Sequence, residues 1–191
     1  MNPRPPTPDE VARFQAIAVP HTDAAYNLAL RLTRQAEAAE DVTHDAFVSA
    51  LAGFSGYRGG DPRAWILTIV RRKAYDWMRA RARGRLVPLN AAVMAYGEEE
   101  LEFDMPDTDQ ESPEQALIRK GEAAGVRAAL DTLPPRLREI LVLREMEELS
   151  YREIAEITAA PIGSVMSRLA RARGQLAEAW RRLQGSTEGA A

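Results

Sequence analysis

The sequence predicts an all-α protein of two small helical domains joined by an acidic flexible linker. Three observations carry that prediction. Strand-like alternation is almost absent, while the 3.6-residue period dominates the first and last thirds of the chain. Charge is partitioned into blocks: residues 1–85 hold 13 basic and 9 acidic side chains, residues 86–115 hold 9 acids and no Lys or Arg, and residues 116–191 hold 12 basic and 10 acidic side chains. Proline falls where the periodicity fails, at Pro88, Pro106 and Pro113.

Within the first block, a short helix is expected over Val11 to Val19 and a longer one over Asp23 to Thr33. A third over Ala38 to Leu51 places Ala39, Val42, Ala46 or Phe47, and Ala50 on one stripe. Gly53 to Gly60 reads as a loop. Asp61-Pro62 then opens a helix running to about Arg83, with an oxygen acceptor at the cap and a proline where its missing N–H is harmless. Residues 87–112 read as a tether with a short helical piece near Ala91 to Tyr96. As a coil of about 30 residues it spans roughly 30 Å.

In the last block, helices are expected over Pro113 to Leu133 and Arg136 to Met146, separated by Pro134-Pro135. Ser150-Tyr151-Arg152-Glu153 is a capping box that opens a short helix to about Ile157. A turn at Thr158-Ala159-Ala160-Pro161 leads to a long helix, Ile162 to Leu183, with Ile162, Val165, Leu169, Ala172, Leu176 and Leu183 on its apolar stripe. Short helix, tight turn and long helix make a helix-turn-helix. Opposite the stripe lie Ser164, Ser167 and Arg171, with Arg168 on the flank. These residue types suit a major groove: Arg for guanine edges or phosphate, Ser for either.

Composition excludes several function classes. The chain has 191 residues and no cysteine, so disulfides, thiol catalysis and cysteine-ligated zinc are out. His21 and His44 are too few and too far apart for a metal site. There is no phosphate loop and no Ser/His/Asp set in a recognisable context, so neither an enzyme, a cofactor nor a small-molecule substrate is expected. No apolar run is long enough to span a membrane, and the proline-rich N-terminus lacks a signal-peptide core. The expectation is a cytoplasmic protein acting at full length, without membrane insertion.

Ser150 to Leu176 resembles the DNA-binding end of sigma-70 family RNA polymerase initiation factors, and more narrowly their extracytoplasmic-function (ECF) type. Ala39 to Phe47 resembles the core-polymerase-binding segment of the sigma-2 domain. Ala64-Trp65-Ile66 through Asp76-Trp77-Met78-Arg79 is similar to the helix that meets the −10 promoter element, and Leu133-Pro134 with Arg138 to Leu141 to the start of sigma-4. The likeness spans roughly residues 12–183 and divides the chain into a sigma-2-like domain (1–85), a linker (86–115) and a sigma-4-like domain (116–191). The family commonly has Gly where Ala159 stands, Lys at Met166, Asn at Arg72 and Gln at His44.

The resemblance implies a core-polymerase face at Asp41, His44, Asp45 and Val48. It implies −10 contacts from Phe54, Tyr57, Arg71, Arg72, Tyr75 and Arg79, and −35 contacts from Ser164, Ser167, Arg168 and Arg171. The partners implied are core RNA polymerase through its β′ and β subunits, promoter DNA, and an anti-sigma factor. The linker's charge resembles a nucleic-acid mimic in a basic polymerase channel. The residues leave some readings open. Phe54 and Tyr57 can anchor their loop or offer stacking surfaces to a base flipped from the −10 strand. Trp65 and Trp77 read as core. Two other functions fit parts of the sequence: a stand-alone helix-turn-helix regulator, and a sigma-like mimic that sequesters an anti-sigma factor. The first leaves the basic helix and acidic face of residues 1–85 unexplained. The second usually carries an added receiver domain, for which this chain is too short.

Overall fold

The computed structural model describes residues 6–84 and 123–188. The tether with its piece near 91–96, and the first part of the helix expected over 113–133, lie outside the described residues. Every regular element described is helical, and the helices fall into an N-terminal unit, residues 6–84, and a C-terminal unit, residues 123–188.

The first unit holds α1 (Pro8–Ala18), α2 (Thr22–Thr33), α3 (Ala36–Ala52) and α4 (Pro62–Gly84), with 3-10 turns at Val19–His21 and Phe54–Gly56. α1 begins three residues earlier than the apolar pattern suggests. Thr7 forms a capping box: the Glu10 N–H donates to its hydroxyl at 3.3 Å, and its own N–H donates to the Glu10 carboxylate at 2.8 Å. α2 stops at Arg34, whose φ of 60° turns the chain and whose N–H donates to the Leu30 carbonyl. Asp61 caps α4 as expected, accepting from the N–H groups of Arg63 (2.9 Å) and Ala64 (3.2 Å).

α2, α3 and α4 pack on one another, and α1 covers them through Phe14. The contact surfaces are rich in alanine: Ala25 and Ala29, Ala39, Ala46 and Ala50, and Ala74 are all buried. Small side chains let the helices approach closely, which is how a chain poor in aromatics fills a core. Leu28, Ile66, Leu67 and Val70 complete it, each burial contributing about 1.5–3 kcal/mol.

The second unit holds α5 (Ala123–Thr132), α6 (Pro135–Leu141), α7 (Tyr151–Thr158) and α8 (Ile162–Glu188). α8 packs on α5 and α6. α6 does not run on to Met146 as a regular helix. Val142–Met146 is a π turn, in which the Glu147 N–H reaches the Val142 carbonyl and the Leu149 N–H reaches that of Leu143. The wider turn allows Leu143 and Leu149 both to be buried, with Glu148 at φ 53° reversing the chain between them. Arg138 is only 3% exposed and ends α5: its guanidinium donates to the carbonyls of Leu130 (3.0 Å), Asp131 (3.1 Å) and Leu133 (2.8 Å). The Leu130 carbonyl also accepts from the Leu133 N–H at 3.1 Å, while those of Asp131 and Leu133 lie at the helix end, where intrahelical partners run out.

Ser150 and Glu153 form the capping box predicted for α7. α7 ends in a Schellman motif. Ala159 has φ 51°, its N–H donates to Glu156, and the Ala160 N–H donates to Ala155. On α8, Val165, Leu169, Ala172 and Leu176 are buried as expected, but Ile162 and Leu183 are exposed. They stand at the two ends of the stripe, where it is left uncovered. Ala179 and Trp180 continue the buried face instead, and the Trp180 ring lies against Gly125 of α5, where a Cβ would come within 2.6 Å of its Cζ3.

Candidate functional site

Four surfaces carry the residues that the sequence singles out. The first is on α3. Its buried side, from Ala38 to Ala50, forces the opposite side outward, and Asp41, His44, Asp45 and Val48 are all exposed there at helical spacing. Glu37 and Glu40 extend the acidic surface. Val48 is 53% exposed and sits next to these acids, an apolar contact point beside a charged rim.

The second is an aromatic cluster around the loop after α3. Of the 4 Phe, 5 Tyr and 3 Trp in the chain, Phe14, Phe47, Phe54, Tyr57 and Trp65 gather here. The Tyr57 and Trp65 rings lie 4.6 Å apart, and Phe54 stacks on Tyr57 at 5.9 Å. Phe14 meets Phe54 edge-on at 5.7 Å, and the Arg13 guanidinium lies 5.9 Å from the Phe54 ring centre. The Tyr57 hydroxyl donates to the Gly60 carbonyl at 2.8 Å, closing the loop, and Gly59 and Gly60 take φ values of 91° and 102° that suit glycine. Phe54 is 6% exposed and anchors the loop from the core. Tyr57 and Trp65 are only partly buried and present the open ring surface; Trp65 is therefore not the plain core residue its sequence context suggests.

The third surface is α4. Arg72 and Arg79 are exposed, and Arg79 is paired with Asp76. Arg71 is half-buried, its guanidinium 4.9 Å over the Tyr75 ring. Tyr75, expected to face the −10 element, is 6% exposed and belongs to the core, with Arg71 resting on its ring. Arg81 lies 5.3 Å over the half-buried Trp77 and donates to Gln35 at 3.3 Å.

The fourth is the outward face of α8. Arg171 is exposed; Ser164, Ser167 and Arg168 are half-buried. The Ser167 hydroxyl donates back to the Ser164 carbonyl at 3.2 Å. Gly163 and Gly174 lie exposed with open space beside them, so the helix backbone is bare at both. Arg173 turns away from this face. It pairs with Glu145 of the π turn at 2.7 Å and fixes α8 against α6. Sequence reasoning missed Arg173, Arg13 and Phe14: nothing local separates Arg173 from its neighbours, since its partner stands 28 residues earlier.

A bundle with an acidic helix face and a basic helix, followed by a unit holding a helix-turn-helix, defines a class of transcription initiation factor, and the comparisons agree. The family profile Sigma-70 region 2 matches residues 18–84, and Sigma-70, region 4 matches residues 124–176. The chain is 34% identical to the RNA polymerase sigma-H factor of Pseudomonas aeruginosa over 84% of its own length and 82% of that protein's. It is 33% identical to the ECF RNA polymerase sigma factor SigE of Mycolicibacterium smegmatis, over 82% of its own length and 57% of SigE's. Among solved structures, the sigma factor RpoE of Bartonella quintana, in complex with the anti-sigma factor NepR, superposes with a TM-score of 0.65 at 25% identity, covering 88% of this chain and 97% of that one. The chain belongs to the sigma-70 family of RNA polymerase sigma factors, in its ECF branch. Its function is that of the family, directing RNA polymerase to promoters, and the family acts without catalysing a reaction. No helix among the described residues is long and apolar enough to cross a membrane.

Proposed function

We propose that the unit of residues 1–85 docks on the β′ clamp of core RNA polymerase through Asp41, His44, Asp45 and Val48. The observation that carries this reading is the single exposed stripe those four residues form on a helix whose other side is buried. The same unit then places α4 along the −10 element, with Arg72 and Arg79 on phosphates and Arg71 braced by Tyr75. Tyr57 and Trp65 are the rings able to stack on an unpaired base, with Phe54 anchoring the loop beneath them.

The unit of residues 116–191 meets the −35 element through α8, contacts the β subunit, and reads the groove with Ser164, Ser167 and Arg171 while Arg168 holds a phosphate. Residues 86–115 connect the units. Specificity follows from polymerase presenting both at fixed spacing, because each alone is a weak DNA binder. An anti-sigma factor controls the chain by capturing it before polymerase does, a reading supported by the structure of RpoE in complex with the anti-sigma factor NepR. The site of action is the cytoplasm.

The test is a double charge reversal, Asp41→Lys with Asp45→Lys. Both side chains are exposed, so helicity should be unchanged while affinity for core polymerase falls, read by co-sedimentation with the core enzyme. Unchanged core affinity removes this face from the docking surface.

A further inference from the structure

Between Arg71 and Arg85 stand seven basic side chains and one acid, Asp76. Thr68, Arg72, Asp76, Arg79 and Arg83 are exposed at steps of three and four residues, a single outward stripe on α4. In the middle of that stripe the Asp76 carboxylate is ion-paired with the Arg79 guanidinium. Both side chains are more than half exposed, 62% for Arg79 and 56% for Asp76. Exposed pairs of this kind add little to stability. α4 is held instead by its opposite side, where Ile66, Val70 and Ala74 are fully buried. Folding therefore does not explain an acid at this place.

Its electrostatic consequence is specific. Arg71 and Arg81 rest on aromatic rings, Tyr75 and Trp77. Arg79 already holds a carboxylate where a phosphate would sit. We propose that Asp76 is a resident competitor for DNA phosphate. It occupies Arg79 in the free chain, weakens binding to DNA that lacks a promoter, and so widens the preference for promoters. The idea rests on reading α4 as the −10 face. Phosphate contact releases counterions, and a chain whose Arg79 is occupied neutralises one phosphate fewer. In the polymerase complex the DNA is held by other contacts at high effective concentration, so exchanging Asp76 for a phosphate there is an intramolecular step.

The test compares the full-length wild type with the isosteric Asp76→Asn, with Arg79→Ala, and with the double variant. Binding to a short fluorescent duplex without promoter elements is followed by anisotropy across a salt series. Asp76→Asn should bind more tightly, with a salt slope steeper by about 0.9. Its advantage over wild type should shrink about 3.5-fold between roughly 50 and 200 mM salt. Arg79→Ala should bind more weakly, and adding Asp76→Asn to it should bring no gain. With core polymerase present, Asp76→Asn should lower the ratio of promoter to non-promoter binding. An Asp76→Asn variant that binds no more tightly than wild type overturns the proposal. So does an equal gain in the Arg79→Ala background, because that is plain charge repulsion without competition for Arg79. If Arg79→Ala and Arg72→Ala both leave DNA binding unchanged, with and without polymerase, the reading of α4 as a DNA face fails, and the proposal with it.

Discussion

Replacing Ala159 by glycine should make the second unit more stable, although it removes a side chain. Ala159 sits at φ 51°, in the left-handed region, where a β-carbon crowds the following carbonyl. For a residue other than glycine that conformation costs about 1–2 kcal/mol. The methyl group is exposed, so deleting it forfeits no burial. Against the relief stands the greater freedom of glycine in the unfolded chain, about 0.4–1 kcal/mol. Taken at the middle of both ranges, the difference is a net gain of about 0.8 kcal/mol. In a unit of this size that raises the melting temperature by roughly 3–6 °C. Native-state amide exchange of the full chain, followed at Ile157 of α7 and Leu169 of α8, reads the gain without mixing in the first unit. Ala160→Gly is the control. It makes the same chemical change one residue later, where φ is not positive, and should destabilise by about 0.4–1 kcal/mol. An Ala159→Gly protein no more stable than wild type refutes the argument that the turn is strained.

Three further outcomes are expected. Arg138→Met keeps the side-chain volume but strips three donors from the end of α5, and should lower the stability of the second unit by about 2–4 kcal/mol while the first unit melts unchanged in calorimetry. Gly125→Val should drive into the Trp180 ring, destabilise the unit by about 1–3 kcal/mol and shift indole emission to the red, since Trp180 is 8% exposed in the wild type. Arg171→Ala, measured in holoenzyme on wild-type and substituted −35 elements, should lose about 1–3 kcal/mol and relax preference at one base pair if Arg171 holds a base, whereas a uniform loss with a salt slope lower by about one assigns it to phosphate.

What could be read from the sequence follows from where each signal is local. The helices of both units are visible because caps and apolar stripes lie within a few residues of each other: Asp61-Pro62 opens α4 and Ser150 with Glu153 opens α7. Thr7 with Glu10 is a signal of the same kind, masked by the surrounding prolines. The π turn at 142–146 has no such local mark. It exists because Leu143 and Leu149 both reach one core and because Glu145 meets Arg173 across the fold. For the same reason Tyr75, which the resemblance turns toward the −10 element, is buried, as is Phe54, which the sequence leaves open between loop anchor and stacking surface. Phe54 turns inward because it meets Phe14, 40 residues earlier in the chain, and Trp65 of the next helix. The exposed acids of α3 and Arg171 of α8 could be placed correctly because helical phase alone decides their side.

The central claim is that two helical units, carrying an acidic docking face and a helix-turn-helix, act together on one polymerase. The direct measurement is run-off transcription by core RNA polymerase of the same organism from a pool of its genomic fragments, with and without the purified full chain. The account predicts start sites that appear only with the chain and share paired −35 and −10 sequences at one spacing. They should be lost when Asp41 and Asp45 are reversed. Start sites unchanged by the chain, or a chain that binds core polymerase yet opens no shared promoter sequence, would contradict it.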